Sequence, residues 1–434
     1  MKFEDQQQHR QQPSIVKLLK FQYNSFLSCL LFLVLGIGLG FYLSSYLKEI
    51  TFNLQLNQLS FLPPLSKSTP PPPTSISGQP PPPFISDQPP LSISDQQEET
   101  AASLIRKISS PFLVPNYTNS QNFTQNWLKE FLRPPKVMHD MEDEELLWRA
   151  SMVPRIKEYP FKRVPKVAFL FLTKGPMIFG PLWERFFRGH RGLYSIYVHS
   201  HPFFNGTVPK RSVFYGRRIP SKDVRWGDMN MVEAERRLLA NGLLDISNER
   251  FVLLSESCIP LFNFSTIYNY LVNSLETFVE SYDLPGGVGR GRYHRRMRPQ
   301  ITLEDWRKGS QWFEMDRFLA LEVIADRTYF PVFRRFCRGS CYGDEHYLPT
   351  FVTMKFWNRN SNRSLTYVDW SKRGPHPASF QRTDVTVEFL ERLRNATTCE
   401  YNGHITNVCF LFARKFLPNA LDRLLKFASP VLKF

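Results

Sequence analysis

From Phe26 to Leu47 the chain runs for 22 residues without a charged side chain. An α-helix needs about 20 apolar residues to cross the hydrocarbon core of a bilayer. A helix buried in a soluble domain would carry a polar stripe at helical spacing, and FLSCLLFLVLGIGLGFYLSSYL has none. Arg10, Lys17 and Lys20 precede the run, whereas Lys48, offset by Glu49, follows it. The positive-inside bias therefore predicts a cytosolic tail (1–25), a spanning helix (26–47) and a lumenal remainder. Bulky Tyr46, Leu47 and Ile50 occupy the place where a cleaved signal peptide needs small residues, which favours a retained anchor. The lipid bilayer is thus the first partner read from the sequence.

Lumenal exposure has further consequences. Six N-x-S/T sequons lie beyond the anchor, at Asn116, Asn122, Asn205, Asn263, Asn362 and Asn395, and are read as glycosylation acceptors. Of the six cysteines, Cys29 falls inside the span. The spacing of the others makes Cys337/Cys341 and Cys399/Cys409 plausible disulfide pairs in an oxidising lumen, with Cys258 free and buried. With no CxxC and no nearby paired histidines, a zinc site is disfavoured.

Residues 48–125 are rich in Pro, Ser and Gln, with proline runs at Pro70–Pro73 and Pro80–Pro83 and a repeated ISDQ. Such a segment buries too little apolar surface to offset its chain entropy, so it reads as an extended stem. A lead-in segment (126–164) contains a helix-like stretch opened by Glu142, Glu144 and Glu145. From residue 165 to 434 the pattern becomes that of an α/β domain. KVAFLFLT (166–173), LYSIYVHS (193–200), SVFYG (212–216) and RFVLLSES (250–257) read as strands. Pro181 to Arg188, MVEAERRLLANGLL (231–244) and STIYNYLVNSL (265–275) read as the helices between and after them. This alternation predicts an open sheet with helices on both faces and a ligand rim beyond the strands' carboxyl ends. That rim would carry Thr173–Lys174, His199–Ser200 and Ser255–Ser257.

The 42% hydrophobic and 15% aromatic content is enough for a sizeable core, and the net charge of +16 calls for an anionic partner. Nucleic acid, anionic lipid, acidic glycan and a nucleotide-sugar diphosphate all meet that requirement. A lumenal head argues against nucleic acid, and no nucleic-acid-binding motif is present.

The ordered series VAFLFLTKGP, YSIYVHSHP, RWGDMNMVEAERRLL, FVLLSESCIPL, GSQWFEMDR, GDEHYLPT, YVDW and FARKF resembles the core-2/I-branching β-1,6-N-acetylglucosaminyltransferase family. That family also holds the peptide O-xylosyltransferases, and SESCIPL and DEHYLPT resemble its plant-type branch. The resemblance spans about residues 165–425. It implies a GT-A-type nucleotide-sugar fold, a UDP-sugar donor, inversion at the anomeric carbon and a Golgi setting. It also implies a diphosphate held by basic side chains rather than a metal, in keeping with the absence of any DxD from the chain.

Residue by residue, the family's general base matches Glu345 in GDEHYL, and its C-terminal diphosphate ligand matches Lys415, with Arg414 adjacent. SKRGPHPASF offers Arg373 and His376 as a second basic donor ligand. Val167 and the turn Thr173–Lys174 would border the uracil and ribose. Val198-His199-Ser200 departs from the Asp that relatives carry after the second strand, which bears on the ribose contact and the donor. On the acceptor side, Glu280 resembles an acceptor-binding Glu, and Arg292 and Arg295 lie in the basic cluster RGRYHRRMR. Trp312 and Trp370 are candidate sugar-stacking faces.

Asp344-Glu345-His346 has a second reading from the residues alone, as an acidic helix start stabilised by the macrodipole. At the level of function the leading reading is transfer of N-acetylglucosamine from a UDP-sugar to a glycan or glycoprotein. A xylosyl- or glucuronosyltransferase on the same scaffold, and a membrane-tethered glycan-binding protein without catalysis, are the alternatives.

Overall fold

The computed structural model describes residue 130 and residues 132–434, apart from 153, 155–158 and 373. The expected tail, spanning run and stem, the sequons at Asn116 and Asn122, and Arg373 lie outside the described residues. No described helix is long and apolar enough to cross a membrane.

The described chain opens with α1 (Asp143–Ser151), whose first turn carries Asp143, Glu144 and Glu145, where carboxylates complement the helix dipole. β1 (Lys166–Thr173), α2 (Gly180–Phe187), β2 (Tyr194–Ser200), α3 (Asn230–Leu243) and β3 (Asn248–Leu254) follow in alternation. After β4 (Ile259–Pro260) and α4 (Phe264–Val272) come β5 (Glu314–Asp316), α5 (Arg317–Ala325), α6 (Phe330–Phe336) and α7 (Tyr347–Lys355). The C-terminal part holds β6 (Thr366–Val368), α8 (Val387–Asn395), β7 (Cys399–Tyr401), β8 (His404–Thr406), β9 (Phe412–Arg414) and α9 (Leu421–Phe427).

The main sheet has the order β2-β1-β3-β5, parallel except for the antiparallel β5 edge. β1 is buried along nearly its whole length, as expected of a central strand covered on both faces. Its two faces meet different helices because successive side chains alternate. Phe169 packs against Trp183, Phe186 and Phe187 of α2 and against Phe264 of α4. Ala168, on the other face, lies near Gly242 of α3, where an added Cβ would press on the Phe251 ring. β5 is tied to β3 by the buried Arg250–Glu314 pair, at 2.6 and 2.7 Å.

The expected strand at 212–216 does not form. Ser212 and Tyr215 donate to the carbonyls of Pro209 and Ser212, closing turns, and Gly216 sits at φ +67. Phe214 still enters the core against Phe171, so the apolar pattern marked a buried turn. The edge of β2 is met three residues later, where Val198 exchanges hydrogen bonds with Arg217 and Ile219.

A second sheet, β4-β9-β6, lies beyond β3 in the chain. β4 pairs antiparallel with β9, so the segment after Ser257 is bound to the FARKF segment. The β7–β8 hairpin is closed by the Cys399–Cys409 disulfide, with Cα atoms 5.7 Å apart, and Cys337–Cys341 forms the other, at 5.2 Å. Cys258 is free and buried. Both bridges and the free thiol agree with the pairing read from the spacing.

Candidate active site

The loop that carries Glu345 is held from behind. Cys337–Cys341 pins its start, and Tyr342 adopts a left-handed conformation (φ 53) that turns the chain into the short 3-10 turn Gly343–Glu345. Gly343 packs closely on the Met229 side chain just ahead of α3, whose sulfur would have to move to admit a Cβ. The Glu345 carbonyl accepts from Gly309, and an added Cβ on Gly309 would strike the Glu280 carbonyl oxygen. Three chain segments therefore converge within one residue's thickness.

At their meeting point the Glu345 carboxylate accepts from Lys308 Nζ and Arg292 Nη1, each at 2.6 Å and both at Oε2. Its side chain keeps 22% exposure and both cations 15%. Burial alone would push this carboxyl up, but Lys308 and then Arg292 outweigh it and hold it below the usual range. Glu345 is thus ionised at neutral pH, and neither hydrogen bond uses Oε1. The Arg292 guanidinium lies 4.2 Å over the Tyr342 ring. Glu280 is a neighbour of Lys308; burial pushes its carboxyl up, while Lys308 and the Ser310 backbone pull against that.

Asp344 points the other way and is buried. Burial, and then the Glu345 charge, push its carboxyl up to about 7. Its Oδ1 has no hydrogen-bond partner among the described residues, and it faces the buried Glu235, which Gln311 contacts at 3.0 Å. Asp344 lies in the short 3-10 turn directly ahead of α7, as the helix-start reading has it, but its burial works against the charged form there. His346 caps α7 without a side-chain cap bond. Its Nδ1 donates to the Arg307 carbonyl at 2.7 Å and its ring stacks on Trp306 at 4.4 Å. Burial first, then Lys308 and Arg292, lower it to about 4, so it is neutral.

The strand ends form a second group. Thr173 and Ser200 are register partners at the carboxyl ends of β1 and β2, so their side chains share a sheet face. Both are buried, and neither hydroxyl has a hydrogen-bond partner among the described residues. Lys174 follows, exposed. His199 faces α3, where its Nε2 accepts from the Lys222 N–H and lies 3.5 Å from Arg237. Burial and the Arg237 charge lower it to about 3.

FARKF reaches the end of β3 through the second sheet. Phe416 N–H donates to the Ser257 carbonyl, and the Lys415 carbonyl accepts from Phe380. The Lys415 ammonium has no hydrogen bond or ion pair among the described residues. Arg414 turns inward, its guanidinium 4.0 Å over the Trp312 ring, which leaves Lys415 as the more available cation. The chain from His376 to Phe380 joins the two groups. His376 lies 5.1 Å from Trp226, and Trp226 meets Tyr342 edge-on at 4.9 Å. Four residues span at most about 14 Å, so the Glu345 cluster and Lys415 flank one short segment.

Not every expected residue belongs to this arrangement. Val167 is fully buried at the opposite end of β1 from Thr173 and is core, so it cannot border a ligand at the rim. Trp312 is only 6% exposed and its face is covered by Arg414, so it offers no sugar-stacking surface. Trp370 is 54% exposed. Arg295 is exposed beside Arg292 without touching Glu345. Among the sequons, Asn205, Asn362 and Asn395 are exposed, and the half-buried Asn263 caps α4. Lys308 was missed by sequence reasoning. It directly precedes the GSQW motif, and a single Lys there carries no periodic or spacing signal.

Residues 167–394 match the model of a family described as core-2/I-branching enzyme. The chain is 35% identical over 297 residues to a protein of Oryza sativa subsp. japonica named glycosyltransferase BC10. That alignment covers 58% of this chain and 73% of the rice protein.

Proposed function

The chain belongs to the core-2/I-branching enzyme family and is a glycosyltransferase, and from that premise we propose that it moves N-acetylglucosamine from a UDP-sugar to a glycan or glycoprotein hydroxyl, with inversion. The mixed α/β fold with open sheets fits a GT-A-type enzyme. Glu345 is the general base. The observation that carries this is a single, partly exposed carboxylate kept ionised by Lys308 and Arg292, with Oε1 left uncommitted. Asp344 has a carboxyl nearer neutrality, which favours a general base, but geometry weighs against it because it is buried and faces Glu235.

Lys415 is the cation for the departing diphosphate, with His376 on the segment between it and the base; fixed charge placed where charge develops is the most effective electrostatic device. The unpartnered hydroxyls of Thr173 and Ser200 supply ribose or phosphate contacts beside Lys174. Glu280 and Arg292 line the acceptor side. The reaction runs without a metal, a reading supported by the absence of DxD. The proposed setting is the Golgi membrane, with the head lumenal.

Glu345→Gln removes the proton acceptor while keeping the shape. It should lower turnover by about 10²–10⁴-fold, the usual worth of a positioned base, and change UDP affinity little. Asp344→Asn should keep most of the activity. Transfer rates and UDP binding measured side by side on both variants decide the matter: loss of transfer in Asp344→Asn alone moves the base by one residue. Transfer should also survive EDTA, and a strict Mn²⁺ requirement would overturn the metal-free reading.

A further inference from the structure

Beside Glu345 the surface carries more positive charge than the protein neutralises. Arg292 is committed to Glu345, Arg290 to Asp283, Arg298 to Glu304 and Arg334 to Glu233. Lys308 adds a second cation on Glu345. Each acid named here therefore already has a basic partner. Arg295, Arg296, Arg335 and Arg338 are exposed, and among the described residues none of them forms an ion pair.

These four are not scattered. Arg295 and Arg296 sit on the short 3-10 helix Arg295–Met297, anchored by buried Met297. The His294 ring, just ahead of it, stacks on Phe336 of α6 at 5.5 Å, and the Arg335 guanidinium lies 5.2 Å from the same Phe336 ring. Arg338 is in the Cys337–Cys341 loop that leads to Tyr342 and Glu345. Two elements locked by a ring stack thus hold exposed guanidinium groups that have no acidic partner among the described residues, three residues beyond the Arg292 that bonds Glu345 and in the disulfide loop that leads to it.

Keeping like charges together costs free energy unless a ligand neutralises them. Resting on the assignment of Glu345 as base, we propose that the acceptor is an acidic glycan whose carboxylate or other anionic groups are gripped by Arg295, Arg296, Arg335 and Arg338 while its hydroxyl reaches Glu345. A glycan is chosen over an acidic peptide because the chain matches a family described as branching enzymes and a relative named a glycosyltransferase, and hexaglutamate is the control that separates the two.

Binding of hexagalacturonate, of its methyl ester and of hexaglutamate to the full-length chain in non-ionic detergent tests this without any turnover. The acid should bind and the ester should not. The triple variant Arg296→Gln/Arg335→Gln/Arg338→Gln should weaken binding roughly tenfold, since exposed ion pairs contribute modestly each. The triple Arg→Lys variant should retain most of the affinity and guards against misfolding. Arg188→Gln/Arg191→Gln, at the other edge of the sheet, should have no effect. Added salt should weaken the interaction, and saturating UDP should not displace the glycan. Equal binding of acid and ester, an unaffected Gln triple variant, displacement by UDP, or hexaglutamate binding as tightly as the uronide would each overturn the proposal. Because no step of transfer is read, a failure of Glu345 as base would show only in the turnover of Glu345→Gln, separate from this result.

Discussion

A half-buried carboxylate and two cations make a balance that a single substitution can tip. In Glu345, burial raises the carboxyl, and Lys308 is the largest influence lowering it. With the net shift downward, the carboxylate stays ionised until the pH falls below the ordinary glutamate range, so the acid limb of kcat/KM should lie below that range. Removing the Lys308 charge leaves burial less opposed. Lys308→Met should therefore move that limb to higher pH while Arg292 still holds the carboxylate in place. The measurement is a pH–rate profile of both proteins over a range where circular dichroism shows them folded; a limb that stays put would mean that Glu345 is not the titrating group. At this scale the sequence was partly legible. Glu345 and Lys415 stand in motifs whose order carries information; Lys415 pairs with Phe380, and the Tyr342 ring ahead of Glu345 reaches His376 through Trp226. Lys308 carries no such mark, and its role depends on a contact 37 residues away in the chain. Trp312 was misjudged because a tryptophan's exposure is decided by what folds over it, here Arg414.

Elements position this site through close approach more than through length. β5 is three residues long, yet the stretch leading to it brings Lys308, Gly309 and Gln311 against Glu345, Glu280 and Glu235 in turn. Gly309 is the tightest point. Its Cα faces the Glu280 carbonyl oxygen, backbone rather than a side chain that could swing away. Gly309→Ala should cost about 1–3 kcal/mol, as overpacking in fixed surroundings does. It should also lower turnover beyond the loss of folded protein, because Lys308 moves with its neighbour. Urea unfolding and specific activity of the soluble folded fraction separate the two effects; unchanged stability would show that the segment can shift freely. Long, doubly covered β1 and amphipathic α3 were readable because their patterns repeat over eight and fourteen residues. SVFYG offered five residues, too few to distinguish a strand from a buried turn, and a positive-φ glycine at its end decided for the turn.

For the whole molecule, an anchor at residues 26–47, which lie outside the described structure, would decide by its orientation which substrates the head meets. Arg10, Lys17 and Lys20 on one side of the uncharged run, against a neutralised Lys48 on the other, predict a cytosolic N-terminus and a lumenal head. The lumen supplies oligosaccharyltransferase and an oxidising environment. The head carries exposed sequons at Asn205, Asn362 and Asn395 and two disulfides, features that the opposite orientation would leave unmodified and reduced. Each occupied sequon adds a glycan whose enzymatic removal increases gel mobility. Protein expressed in eukaryotic cells should therefore shift on treatment with an N-glycan-releasing glycosidase, and substitution of Asn205, Asn362 and Asn395 by Gln should remove part of that shift. In sealed microsomes an added protease should trim only the short N-terminal tail and leave the head intact until detergent opens the vesicles. The reverse pattern, a digested head in sealed vesicles with no glycosidase shift, would put the catalytic domain in the cytosol and refute the type II arrangement.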